Sequence, residues 1–153
     1  MKRLSVYFVL IGILSLFLVS DSFAQPEKKK KGGEGWGMEN QYGRMYNTKT
    51  IETISGEVVS VDKITPVKGM SKGVHLMVKT EKETISVHLG PAWYIENQDT
   101  KIEPKDKVEI KGSRITFDWK PAIIAAEVRK GDKILQIRDE NGRPAWAGWR
   151  RGL

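Results

Sequence analysis

The chain has 153 residues, a net charge of +7 from 26 Lys and Arg against 19 Asp and Glu, two histidines and no cysteine. Without cysteine there are no disulfides, no thiolate metal ligands, no cysteine nucleophile and no acylated cysteine to anchor a lipoprotein. No recognisable motif pairs a nucleophile with a base, and no phosphate loop or H-E-x-x-H occurs, so a non-enzymatic protein is expected.

The first element in the chain is an export signal. Met1, Lys2 and Arg3 lead into an apolar run from Leu4 to Val19, and "SDSFAQ" follows with small residues at Ser22 and Ala24. A charged start, an apolar middle and a small-x-small exit predict a signal peptide over residues 1–24, cleaved after Ala24 to leave a periplasmic or secreted protein. The apolar run is shorter than the ~20 residues that span a bilayer, so no integral span is expected after cleavage.

Residues 25–50 read as a flexible basic tether followed by an aromatic arm. Over residues 25–35 the run Lys28 to Lys31 sits among glycines, a composition that cannot bury enough apolar surface to order itself. The lysines are either solvated or attracted to lipid headgroups, an anionic envelope polymer or an acidic partner. Trp36, Tyr42, Arg44 and Tyr46 then supply the arm.

From Ile51 the chain is written in strands, and residues 51–139 are expected to form one barrel domain. "IETISGEVVSVDKI" is rich in β-branched residues with a glycine inside, which predicts a long, bent first strand. "VHLMVKT" and "TISVHL" each alternate strictly, and with "TEKE" between them they predict a hairpin. Gly90 and Pro91 end it, and "AWYIENQDTKIEPKD" forms a short helix or a loop. Strands resume with "DKVEIKG", "RITFDW", "AIIAAEV" and "KILQIRD", punctuated at Gly112–Ser113, Lys120–Pro121 and Gly131–Asp132. No stretch keeps helical apolar periodicity over three turns. The predicted class is all-β, a small OB-like barrel with at most one short helix, an N-terminal arm and a C-terminal extension. Its predicted core is Val58, Val61, Leu76, Val78, Ile85, Val87, Val108, Ile110, Ile124, Ala126, Val128 and Ile137.

The segment "KIEPKDKVEIKGSRITFDWKPAIIAAEVRK" resembles the end of the small exported bacterial OB-fold proteins of the BOF family, in which a "P-x-DKVEI-x-G" strand leads into a closing hairpin. The resemblance spans about residues 51–130 and implies the fold rather than a catalytic activity. Neither the segment before the barrel nor the chain after Lys130 belongs to that pattern.

"KGDKILQIRD" can pair back on "AAEVRK", and residues 140–153 then form a Trp/Arg-rich extension. Asn141–Gly142 is the strongest short turn signal in the chain. The aromatic residues at the two ends either fold back to cap the barrel or form a recognition surface, since Trp, Tyr and Arg dominate interface energetics. On the second reading Trp93, Tyr94, Trp146, Trp149 and Arg150 are the candidate ligand-binding residues. The same composition would serve base stacking, but export makes nucleic acid a poor partner.

The hairpin also places both histidines. If Glu81–Lys82 is a two-residue loop, Val78 faces Ile85, Leu76 faces Val87 and His75 faces His88, with the apolar pairs on one face and the histidines on the other. Cross-strand Cβ atoms are ~5 Å apart, near enough for both imidazoles to reach one metal ion. Met77 shares that face. A His, Met and Trp set on an OB hairpin resembles the periplasmic copper and silver chaperones of this fold, which carry a second methionine where this chain offers only Met70, in the loop before the strand. Thioether and imidazole suit Cu(I), and Zn(II) is the other candidate.

The expected function is a non-enzymatic exported module that binds another envelope protein, an anionic envelope polymer or a small ligand. The alternatives are a periplasmic metal-binding protein using His75, His88 and Met77, and an anionic-polymer or nucleic-acid binder. No cofactor is otherwise expected.

Overall fold

A computed structural model of the chain describes residues 35–148. The signal peptide predicted for residues 1–24, the Lys28–Lys31 run, Trp149 and Arg150 lie outside the described residues. Six strands run in the order β1 (Ile51–Ile64), β2 (Gly73–Lys79), β3 (Thr84–Pro91), β4 (Lys107–Phe117), β5 (Lys120–Lys130) and β6 (Lys133–Gln136), with the short helix α1 (Ala92–Ile95) after β3. The sheet order is β3-β2-β1-β4-β5-β6, and a parallel β3–β5 pairing closes strands 1 to 5 into a barrel. This is the OB-like, all-β architecture expected from the strand rhythm, with β6 added to it.

Closure needs one strand long enough to join two sheets. β1 pairs with β4 through its first half, Ile51 to Glu57, and with β2 through its second, Glu57 to Ile64. At the changeover a Cβ on Gly56 would lie 2.4 Å from the Lys79 carbonyl oxygen, so the bend requires glycine. β5 is shared in the same way. Ala122 to Ile124 pair with β3, and Glu127 to Lys130 pair with β6.

Alternation sends Val58, Leu76, Val78, Ile85, Val87, Val108, Ile110 and Val128 into a buried core. Val61 departs from expectation and is only partly buried, because it lies at the barrel mouth beside α1. Two punctuation marks in the sequence are also corrected. "DKVEIKG" and "RITFDW" form one strand, β4, which runs through Gly112–Ser113 past a bulge that leaves Ala126 of β5 out of register. The turn between β4 and β5 is Asp118–Trp119, and Pro121 falls inside β5, opposite Thr116.

The aromatic arm is not a free extension over the described residues. Trp36 and Tyr42 are buried, as is Trp146 from the other end of the chain. Trp36 packs on Gly73 and Trp146 on Gly90, where added Cβ atoms would come within 2.2 and 2.7 Å of the indoles. The two indoles are tied together, since Trp146 Nε1 donates to the Trp36 carbonyl at 3.1 Å and Trp36 Nε1 donates to Ser71 O at 3.0 Å. A second layer of aromatic residues therefore covers part of the barrel's outer surface. Arg138 is buried in it, donating to the carbonyls of Leu89 and Ala125 while its guanidinium lies 5.0 Å from the Trp146 ring and 5.9 Å from the Tyr46 ring.

Candidate functional site on the outer face of the β2–β3 hairpin

Thr80 N donates to Glu83 O at 2.8 Å, which makes Glu81–Lys82 the two-residue loop the parity argument required. His75 faces His88, Leu76 faces Val87, Met77 faces Ser86 and Val78 faces Ile85. The apolar pairs point into the barrel, since a one-residue slip would turn them out to water. His75, Met77, Ser86 and His88 consequently share the outer face, joined by Ser60 and Asp62 of β1 opposite Met77 and His75.

The two histidines are neighbours in different surroundings. Their ring centroids are 6.2 Å apart. His88 is only 1% exposed, because Tyr42 stacks on its ring at 5.8 Å and Phe117 meets it edge-on at 5.0 Å. Both imidazoles stand on the outer face as expected, but the arm reaches over β3 and lays Tyr42 on one of them. Tyr42 Oη and His88 Nδ1 share a hydrogen bond of 2.9 Å. Burial, with His75 and Arg138 adding like charge, pushes the His88 pKa down to about 4. The same burial pushes the Tyr42 phenol up, so this pair stays neutral.

His75 is half-covered. Its Nδ1 shares a 3.0 Å hydrogen bond with Ser86 Oγ, and its Nε2 lies 3.8 Å from Asp62 Oδ2, which also accepts from Ser60 Oγ at 2.8 Å. Burial lowers its pKa and Asp62 opposes that shift. Both imidazoles are thus held towards the neutral form, able to accept a hydrogen bond or a metal ion.

Serine, histidine and aspartate in one line invite comparison with a hydrolase triad. Here the serine bonds Nδ1 and the carboxylate stands nearest Nε2, the reverse of the usual arrangement, on a flat strand face where the backbone N–H groups serve the sheet ladder. A G-x-S-x-G string does occur, from Gly69 to Gly73, but it runs through the β1–β2 loop into the first residue of β2 rather than forming a strand-to-helix elbow, and the buried Ser71 hydroxyl has no hydrogen-bond partner there. Neither arrangement supplies a nucleophile beside an oxyanion site.

The remaining candidates lie elsewhere. Trp93 and Tyr94 are on α1, and the buried Tyr94 ring packs 5.4 Å from that of Trp146. Tyr94 and Trp146 are brought together and buried, while Trp93 is only partly buried. Met70 lies on the β1–β2 loop, beside a cavity of about 420 Å3 that Tyr42 also lines. Among the described residues, no group of three or more His, Asp or Glu side chains could hold a metal ion. Sequence reasoning missed Ser86, Asp62, Tyr42 and Phe117 as neighbours of the histidines. Ser86 was legible from alternation, whereas Tyr42 is 46 positions from His88 and carried no local signal.

No curated protein matches the chain. A family match covers residues 50–135, from the start of β1 through most of β6, and it is to neither family that the sequence resembled. The match takes in the closed barrel with both histidines and leaves out Trp36, Tyr42 and Trp146, which cover its outer face. Over that span, more than half its length, the chain belongs to the MamS/MamX magnetosome protein family.

Proposed function

We propose that the protein is a non-enzymatic binding module that serves the magnetosome from outside the cytoplasmic membrane, holding a protein partner on the uncovered part of the β2–β3 outer face. The observation that carries this reading is the half-covered patch of His75, Met77 and Ser86, with Asp62 at its edge, lying beside His88, which Tyr42 and Phe117 cover. A neutral imidazole, a hydroxyl and an adaptable thioether suit a protein surface better than a charged polymer. Export rests on the signal-peptide pattern of residues 1–24. No helix among the described residues is long and apolar enough to cross a membrane. A photo-crosslinking residue at Met77 should trap one discrete envelope protein, and His75→Ala should abolish the adduct. An adduct pattern identical to that from a probe at Glu109, an exposed position on β4, would sink the reading.

A second reading, metal binding, draws on the in-register histidines. Met77 would supply a soft third ligand, and Tyr42 would have to release His88 Nδ1 unless the metal takes the other ring nitrogen. Added Cu(I) or Zn(II) should then raise the melting temperature of the wild type and leave the His75→Ala/His88→Ala double variant unmoved. Equal responses in the two proteins would dispose of this reading.

A further inference from the structure

Trp119 is 94% exposed, the most exposed large apolar side chain described. It shares a two-residue turn with Asp118, and both have positive φ, at +63° and +49°. Such turns favour Asn-Gly, because a bulky side chain in the left-handed region is strained. Strain of this kind persists where the surrounding structure enforces it and gathers at functional positions. The hairpin that enforces it here joins two strands of 11 residues each, so the indole is held out on a rigid tip.

The opposite end of the barrel offers a matching recess. Because β3 and β5 run parallel with Ser86 beside Ala122, Trp119 projects at the end where the Glu81–Lys82 turn lies. Val61, Val74 and Leu89 belong to the other end, and with Ile95 and Ile102 they line a cavity of about 270 Å3. That volume is just below the ~300–1,000 Å3 of sites for drug-sized molecules, and suits a single aromatic side chain. Both signs of charge rim it, with Lys63 paired to Glu96 at 2.8 Å and Lys101 alongside. The tip carries the same mixture, with Asp118 and Lys120 on either side of the indole.

We propose that copies of this chain associate head to tail, the Trp119 tip of one entering the cavity that β1, β2, β3 and α1 line in the next. The two surfaces differ and face opposite ways, so each contact leaves a tip and a cavity unused and the assembly extends as a row instead of closing as a dimer. A bilayer is the poorer occupant for the tip, because the charges of Asp118 and Lys120 cancel and one indole alone gives little hold on a membrane. Only a hairpin tip is buried, which places the contact among the weak, reversible interfaces.

Sedimentation of the exported chain at increasing concentration tests this. The wild type should pass beyond dimer as concentration rises. Trp119→Ala, at a surface position where folding is not at stake, should weaken association at least about tenfold, as loss of an aromatic anchor does. Thr100→Trp should do the same by filling the cavity mouth from within its own chain. Mixed in equal amounts, the two variants should form a one-to-one dimer that grows no further, since one retains the cavity and the other the tip. A wild type that stays monomeric or stops at dimer, a Trp119→Ala variant that associates normally, or a mixture that does not combine would each overturn the proposal. So would a monomeric wild type that binds phosphatidylcholine vesicles through Trp119.

Discussion

His88 is an imidazole with no water to charge into, and that makes the fold sensitive to acid. Its folded pKa is pushed down to about 4, while in the unfolded chain the ring titrates near 6.5. Between those values the unfolded chain holds more protons, so the contribution of His88 is complete above about pH 6.5 and is lost as the pH falls to about 4. The shift corresponds to on the order of 3 kcal/mol. Tyr42, Phe117, His75 and Arg138 are the groups around the ring, and none offers the imidazolium a carboxylate. The thermal midpoint should therefore drop more steeply on acidification for the wild type than for His88→Phe, with His75 supplying a smaller residual slope. Superimposable pH profiles would show that His88 is solvated in solution. Trp119 makes a separate residue-scale prediction. Replacing it by glycine relieves the left-handed backbone and should stabilise the monomer by about 1 kcal/mol, read as a higher denaturant midpoint; no gain would mean the turn is unstrained.

Among the elements, the β2–β3 hairpin was almost wholly legible in the sequence, because everything that fixes it is local. Alternation gave the faces, the even loop gave the register, and burial of Leu76, Val78, Ile85 and Val87 selected it. Val87→Ala should cost about 1–3 kcal/mol, measured by chemical denaturation, as loss of buried methyl groups does. A negligible cost would put that side chain on the wrong face. β4 was harder to read. Gly112 looks like a break, yet it is needed within the strand, where a Cβ would lie 2.3 Å from the Ile124 carbonyl oxygen at the bulge. Pro121 looks like a turn residue, yet it sits one step inside β5, where a missing N–H is tolerated. The arm was the least legible element. Its anchors, Gly73 and His88 for Trp36 and Tyr42, lie far along the chain, and no periodicity links an indole to the glycine beneath it. The site suffered in turn, since placing His75 and His88 side by side did not tell that an arm would cover one and leave the other.

At the scale of the whole molecule, barrel and outer layer share one buried cluster and are expected to unfold together. Trp36, Tyr42 and Trp146 belong to the same buried cluster as Leu76 and Ile110. Unfolding followed by tryptophan fluorescence, which reports largely on the outer layer, should coincide with unfolding followed by far-ultraviolet circular dichroism, which reports on the strands. An earlier fluorescence transition would mean that the arm melts as a separate unit.

The hydrogen bond from Trp146 to Trp36 closes a loop across 110 positions of sequence. Whichever end of the chain is released first, Trp36 must wait for Trp146 to complete this bond. Non-local contacts of this kind slow folding, because the entropy of bringing distant segments together is spent before any contact is gained. The hairpins can form while synthesis proceeds, and Tyr42 and Trp36 can meet His88 and Ser71, but the layer they start is completed only when Arg138 and Trp146 have emerged. The half-made protein therefore lacks the Arg138 side of the layer beside Ile124, and only the finished chain supplies it.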